Sequence, residues 1–296
     1  MAPDVPRLVD RPALRRARAR ALAAGGGPDF LAVRVAEDLE LRLAATLRPF
    51  PRALDLASPS VQALAALRDR PTAELVVRAA WDGLDGDVVC DPEAPCFTEE
   101  SFDLVVSCLA LQHVDDLPGA FAQGRRLLAP DGLFLAAFLG GETLTELRQS
   151  FAAAEAATTG GASPRVLPFA DVRAVGGLLQ RAGFALPVID LDRVTVRYAN
   201  ALELMRDLKA WGATNVLAER SRRPLRRDTL GEAVRIYQER FSDPDGRIRA
   251  TFEIVWASGW AAHASQQKPL KPGSAQARLA DALGVKEGDP SSKGGR

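Results

Sequence analysis

The residues best suited to chemistry are acids that close apolar runs. In Ala53-Leu54-Asp55-Leu56-Ala57-Ser58-Pro59-Ser60 an aspartate ends an apolar stretch and a turn follows, and Asp91 does the same in Val88-Val89-Cys90-Asp91-Pro92. Asp82 stands a few residues beyond the run Glu74 to Val77. Carboxylates at the carboxyl ends of parallel strands accept hydrogen bonds from ligand hydroxyls, so this set predicts a polar small-molecule site. Each acid also has a plainer role. Asp55 can cap the next helix through the Ser58 or Ser60 amides, and Asp91 before Pro92 is a turn former in any protein.

A second group follows the apolar run Phe102 to Leu109. Gln112 ends this strand and faces the presumed substrate mouth, with His113 beside it. His113-Val114-Asp115 together with the distant His263 has the form of a two-histidine, one-carboxylate iron site. Asp115 is better placed to cap the following helix, so no metal site is expected. Gly140-Gly141-Glu142-Thr143 lies at the edge of the fifth apolar run, where the glycines permit close backbone approach. Arg148, Ser163, Pro164 and Arg165 fall in the region that would roof the pocket. No nucleophile paired with a base is visible.

These residues need a scaffold, and the pattern supplies one. Apolar residues at Leu31, Val35, Leu39 and Leu43 predict a helix over about 29–47, ended by Pro49 and Pro51. Short strands are expected at 53–57, 74–77, 87–90, 102–109 and 133–138, with a helix over 115–128 and a turn at Ala129 to Gly132. Strands alternating with helices imply a parallel sheet covered on both faces. Beyond Gly141 the pattern predicts helices at 142–157 and up to Arg181, strand pieces at 185–190 and 193–198, helices at 201–212 and 228–241, and a buried strand at 250–261. The domain boundaries read as a basic N-terminal arm over 1–27, one α/β domain over 28–262 with a helical insertion at 199–249, and an irregular tail over 263–296 with a short helix near 275–283.

The chain has 296 residues, 38 basic and 38 acidic, for a formal net charge of +0, so general nucleic-acid or membrane-surface binding is not indicated. Cys90, Cys96 and Cys108 are an odd set without zinc spacing, which fits a reducing compartment and excludes a disulfide framework. No apolar run approaches a membrane span. The start of the chain is rich in arginine and alanine like a targeting peptide, but it carries Asp4 and Asp10 and lacks serines, so a cytoplasmic location is expected. The run Arg220, Arg222, Arg223, Arg226 and Arg227 reads as a solvated face or as a docking surface for an acidic protein.

The order strand, helix, strand, strand, strand, helix, strand, with "SFDLVVSCLALQHVDDL" and "LLAPDGLFL", resembles the class I S-adenosylmethionine-dependent methyltransferase fold. The resemblance implies a Rossmann-like, parallel-rich, seven-stranded sheet. It places Asp55, Ala57, Ser58, Asp82, Asp91, Cys108 and Gln112 around S-adenosylmethionine, and His113, Gly140, Gly141 and Arg148 at the substrate. A narrower resemblance covers about residues 8–274. It is carried by "LVDRPALRRARARA", "GGETLTELRQSFAAAE", "SPRVLPFADVRAVGGLLQRAGF", "ELMRDLKAWGATNV" and "RRDTLGEAVRIYQERF". These stretches resemble the family of NADH dehydrogenase (complex I) assembly factor 5 and its alphaproteobacterial relatives, with the malonyl-acyl carrier protein methyltransferases more distant. The family implies hydroxylation of an arginine in a respiratory-chain subunit, which would be the protein partner.

One departure bears on that reading. The family pattern D-L-G-C-G-x-G is here Asp55-Leu56-Ala57-Ser58-Pro59-Ser60-Val61, and the acid expected after the second strand falls on Ala80. The cofactor cradle is therefore weakened, remodelled or lost. Three readings follow: the enzyme, a non-catalytic assembly or binding module, and a methyltransferase acting on a small-molecule or carrier-protein carboxylate.

Overall fold

The structure is a computed structural model and describes residues 7–27 and 30–266. The chain opens with α1 (Arg11–Ala23), started by Asp10, whose side chain accepts a hydrogen bond from the Ala13 amide. The next helix, α2 (Phe30–Ala44), buries Leu31, Val35, Leu39 and Leu43, the spacing of four that predicted it. Then follow β1 (Arg52–Leu56), α3 (Gln62–Arg68), β2 (Leu75–Ala80), β3 (Val88–Val89), β4 (Phe102–Cys108), a 3-10 turn (Leu111–His113), α4 (Leu117–Leu127) and β5 (Leu128–Leu139). The remainder is α5 (Thr145–Thr159), α6 (Val172–Arg181), β6 (Phe184–Tyr198), α7 (Ala201–Ala210), α8 (Arg227–Phe241) and β7 (Ile248–Ala261).

The seven strands form one sheet in the order β3-β2-β1-β4-β5-β7-β6. Strands β1 to β5 pair in parallel, and β7 runs antiparallel between β5 and β6. The order reverses between β1 and β4, so a crevice opens at their carboxyl ends, the place where such sheets bind ligands. Buried residues of α2, α3, α5, α7 and α8 cover one face, and those of α4 and α6 cover the other. The fold is that of the class I methyltransferases, as the strand order predicted.

Four local expectations change. The two strand pieces at 185–190 and 193–198 are one continuous β6, because Asp190 and Asp192, which break the apolar pattern, ion-pair with Arg42 and Arg34 of α2 instead of ending the strand. The turn at Ala129 to Gly132 is taken up within β5 as an irregularity with Asp131 at φ 62°. Asp116, not Asp115, caps α4; the Asp115 carboxylate accepts the Leu8 and Val9 amides. The segment read as a basic arm contains α1, which is tied to Asp82 and Asp91 beyond β2 and β3. The short helix expected near 275–283 lies outside the described residues.

Candidate active site

The site grows from the pairing of β1 with β2. Asp55 and Arg78 are register partners, so their side chains leave the sheet on the same face. Both are buried, with Arg78 Nε 3.6 Å from the Asp55 carboxylate. Arg78 also bonds Asp85 at 2.7 Å and the Ser58 carbonyl at 3.2 Å, so its guanidinium props the loop after β1 from beneath. Burial pushes the Asp55 carboxyl up to about 7, against the pull of Ser58 and Arg78. Neither Asp55 oxygen has a hydrogen-bond partner.

The loop keeps the backbone path that glycines would take freely. Ala57 sits at φ 66°, in the left-handed region, which strains a residue with a Cβ by about 1 kcal/mol or more. The Ala57 amide bonds the Ala79 carbonyl at 2.8 Å, and the Ser58 hydroxyl accepts the Cys108 amide at 2.9 Å. Those bonds fix the loop to β2 and β4 without any glycine.

Above the loop lies α1. Arg18 forms an ion pair with Asp82, and its other terminal nitrogen donates to the Pro59 carbonyl at 3.4 Å. Arg15 bonds the Asp82 carbonyl at 2.8 Å, and Arg11 is paired with both Asp91 and Glu93. Three arginines on successive turns of one helix thus fasten it to the loops after β2 and β3. Burial pulls the Arg18 guanidinium down from its usual value, and Asp82 opposes this.

Beneath α1 is a cavity of about 330 Å³, within the range of small-molecule sites. Its walls include Arg18, Ala57, Pro59, Trp81, Asp85, Gln112 and His113. A second cavity of about 260 Å³ continues from it toward α5 and α7, sharing Leu31, Gln112, His113, Leu139, Trp211 and Ala213 with the first. Gln112 and His113, carried on the 3-10 turn after β4, therefore stand at the junction. Gln112 donates through Nε2 to the Leu109 carbonyl at 2.8 Å, which leaves its buried Oε1 without a partner. Burial, with Arg18 nearby, lowers His113 to about 4, so the imidazole is neutral at physiological pH.

The structure thus places Ala57, Gln112 and His113 on the cavity walls. Asp55, Ser58 and Cys108 lie just behind the wall as its support, and Asp82 and Asp91 are fastened to α1. Gly140, Gly141 and Arg148 line neither cavity; Arg148 bonds the Gly141 carbonyl at 3.1 Å, and Gly140 bridges to Ala170. Arg165 does line the second cavity, held by Glu155. Sequence reasoning missed Arg18, Arg78 and Trp81 as parts of the site. Arg78 did leave a signal, a single charge inside the strand Leu75-Val76-Val77-Arg78-Ala79-Ala80. Among the described residues, no group of three or more His, Cys, Asp or Glu could hold a metal ion, and Asp115 of the H-x-D pattern is occupied by backbone amides.

Comparison with known proteins agrees with this geometry. Residues 53–136 match the model of a methyltransferase domain. Over 86% of the chain and 82% of the relative, the sequence is 39% identical to mitochondrial arginine-hydroxylase NDUFAF5 of Danio rerio. It is 36% identical to the malonyl-[acyl-carrier protein] O-methyltransferase of Laribacter hongkongensis, over 88% of the chain and 82% of the relative. Among solved structures, the YcgJ protein of Bacillus subtilis superposes with a TM-score of 0.52 at 13% identity, covering 77% of this chain and 99% of that one, a likeness of fold.

Proposed function

Because the chain belongs to the family of the arginine hydroxylase NDUFAF5, built on a methyltransferase domain, we propose that it hydroxylates an arginine side chain of a respiratory-chain protein, presented through the second cavity to the junction at Gln112 and His113. The observation that carries the reading is the orphaned Gln112 Oε1. A buried amide oxygen without a donor is costly, and a guanidinium N–H entering the second cavity supplies that donor. The neutral His113 beside it adds no positive charge to repel the incoming cation. Leu31, Leu139 and Trp211 supply the apolar part of the junction.

S-adenosylmethionine is the cofactor of the methyltransferase domain, and the first cavity fits it in place and in backbone shape. The left-handed Ala57 lies on the cavity wall, where Asp85 is the lining carboxylate, while the buried Asp82 is held by Arg18, itself a wall residue. The two would exchange partners on binding. When bound, the cofactor supplies a sulfonium-activated methyl group, which serves the carboxylate reading below. Hydroxylation of arginine instead requires dioxygen as the oxidant, one oxygen atom entering the side chain and the other leaving as water with two electrons and two protons from an added reductant. The protein's own contributions would be to hold the cofactor against the Ala57 loop and Asp85, to shut it under α1, and to orient the substrate at Gln112.

A second reading has its own observation. The charged side chains on the second cavity are Arg165 and Lys209, both cationic, which suits an anionic substrate such as the carboxylate of an acyl group. One experiment separates the two. Respiratory-chain proteins from cells with and without the gene are compared by peptide mass spectrometry for an arginine heavier by one oxygen. Loss of such a peptide with the gene supports hydroxylation, whereas its absence from both strains refutes it and leaves the carboxylate reading.

A further inference from the structure

We propose that Cys90 and Cys96 are a reversible disulfide site that locks the loop after β3 and, through it, the fastening of α1. The two cysteines bound the segment Cys90-Asp91-Pro92-Glu93-Ala94-Pro95-Cys96. That segment folds back on itself: Asp91 and Ala94 form an isolated bridge, the Glu93 amide bonds the Asp91 side chain at 3.0 Å, and the Cys96 amide donates to Cys90 Sγ at 3.3 Å. With the Cys96 backbone nitrogen already 3.3 Å from Cys90 Sγ, the Cys96 side chain starts beside the other sulfur, and the fold-back of the loop brings the two residues to where a bond can form.

The pair is also divided in the way a sensor requires. Cys96 is exposed and Cys90 is buried. The exposed thiol meets an oxidant first, and the buried one is available only to its neighbour. With hydrogen peroxide as the oxidant, the Cys96 thiolate attacks one peroxide oxygen; the O–O bond breaks, and hydroxide leaves to take up a proton as water. The Cys96 sulfur then carries a hydroxyl. The Cys90 sulfur, losing its proton, attacks that sulfur, forming the S–S bond and releasing the hydroxyl as a second water. Two thiols and one peroxide thus give one disulfide and two waters, and a dithiol reverses the change. A transient bond of this kind suits a reducing compartment, where stable disulfides are uncommon.

What the bond would hold is on the same loop. Asp91 and Glu93 are the two carboxylates that grip Arg11 at the start of α1, and Glu93 also accepts the Asp116 amide at the start of α4. Arg126 of α4 bonds the Pro95 and Phe97 carbonyls at 3.2 and 3.1 Å. The loop between the cysteines therefore connects α1 to α4, and a covalent tie across its ends fixes the two carboxylates in the position that holds Arg11.

The test uses the full chain, treated with a small excess of hydrogen peroxide and mapped without reduction. The expected product is a monomer lighter by two hydrogens, in which Cys90 and Cys96 resist alkylation until dithiothreitol is added and Cys108 is unaffected. Hydrogen exchange of the α1 amides is expected to slow several-fold in the oxidised protein and to return to its former rate on reduction. Cys96→Ser, a change at an exposed position, should abolish both effects. Oxygen added to Cys96 without loss of the Cys90 thiol, or a disulfide between two chains, overturns the site. A disulfide that forms without slowing exchange in α1 overturns the link to the roof.

Discussion

Replacing Arg18 with alanine tests how the cofactor cavity is set. In the unliganded protein Asp82 is buried and its charge is met by Arg18. Arg18 lines the cavity and Asp82 does not, so a ligand whose hydroxyls reach Asp82 must first displace the guanidinium, and part of the binding energy goes into breaking an existing pair. In Arg18→Ala the carboxylate keeps only the Leu84 amide at 3.2 Å, and burial of its charge without a cation costs about 3 kcal/mol or more, which a ligand can relieve. Hydrogen bonds to a charged group contribute roughly 1.5–3 kcal/mol. The substitution should therefore tighten S-adenosylmethionine binding by about tenfold to a hundredfold while lowering the melting temperature of the unliganded protein. Calorimetric titration with S-adenosylmethionine and S-adenosylhomocysteine measures the first effect, and thermal unfolding measures the second. Asp82→Ala should weaken binding below wild type. Equal or weaker binding by Arg18→Ala would refute the competition and make Arg18 a ligand contact instead.

Two buried groups should give opposite pH dependences of stability. The Asp55 carboxyl is raised from 3.8 to about 7, so its contribution is full below about pH 4 and is lost as pH rises through 7. His113 is lowered from 6.5 to about 4, so its contribution is present above about pH 6.5 and is lost as pH falls through 4. At about 1.4 kcal/mol per unit the two are of similar size, up to about 3–4 kcal/mol, and oppose each other between pH 4 and 6.5. Denaturant unfolding should show Asp55→Asn gaining stability with pH across that window and His113→Gln losing it; parallel profiles would contradict both assignments. Ala57→Gly relieves the left-handed backbone and should leave stability unchanged or raise it by about 1 kcal/mol, despite the entropy lost by glycine, whereas a clear loss would show that Ala57 is not strained. Gln112→Leu keeps volume and removes the acceptor. On the hydroxylase reading it should cut the yield of modified arginine by about tenfold or more with little change in melting temperature, and an unchanged yield would remove Gln112 from the site.

Much of the architecture was legible because burial follows period. The spacing of four in α2, the apolar runs of β1 and β4 and the late position of β7 need only the hydrophobic pattern, and the strand order then followed from the resemblance. The places of Ala57, Gln112 and His113 on the cavity walls were legible, since positions at strand ends follow from the parallel sheet. It was hidden wherever the partner lies far along the chain. Nothing near Arg18 in sequence announces Asp82, and the arginines of α1 read only as a basic arm because their acceptors come from loops about 64 to 80 residues away. The aspartates within β6 read as a break because their arginine partners lie on α2, some 150 residues earlier.

The loop without glycines and the two arginines that hold it belong to one arrangement. A glycine loop needs no support from below, because its conformation costs little; Ala57-Ser58-Pro59 holds a left-handed residue and so needs its carbonyls fixed. Arg78 fixes the Ser58 carbonyl from the sheet side and Arg18 reaches the Pro59 carbonyl from the roof side. Each arginine is in turn anchored by an acid, Asp85 for Arg78 and Asp82 for Arg18. Breaking a buried pair from one side costs about 3–5 kcal/mol, since the partner charge stays behind. Arg78→Met should thus damage the loop more than a glycine substitution within it, leaving Asp55 and Asp85 without their cation. The double variant Arg78→Met with Asp55→Asn should recover part of that loss in a denaturant titration, because the uncompensated buried carboxylate is then gone. Additive losses in that cycle would mean that the two side chains, though register partners, do not act on the loop together.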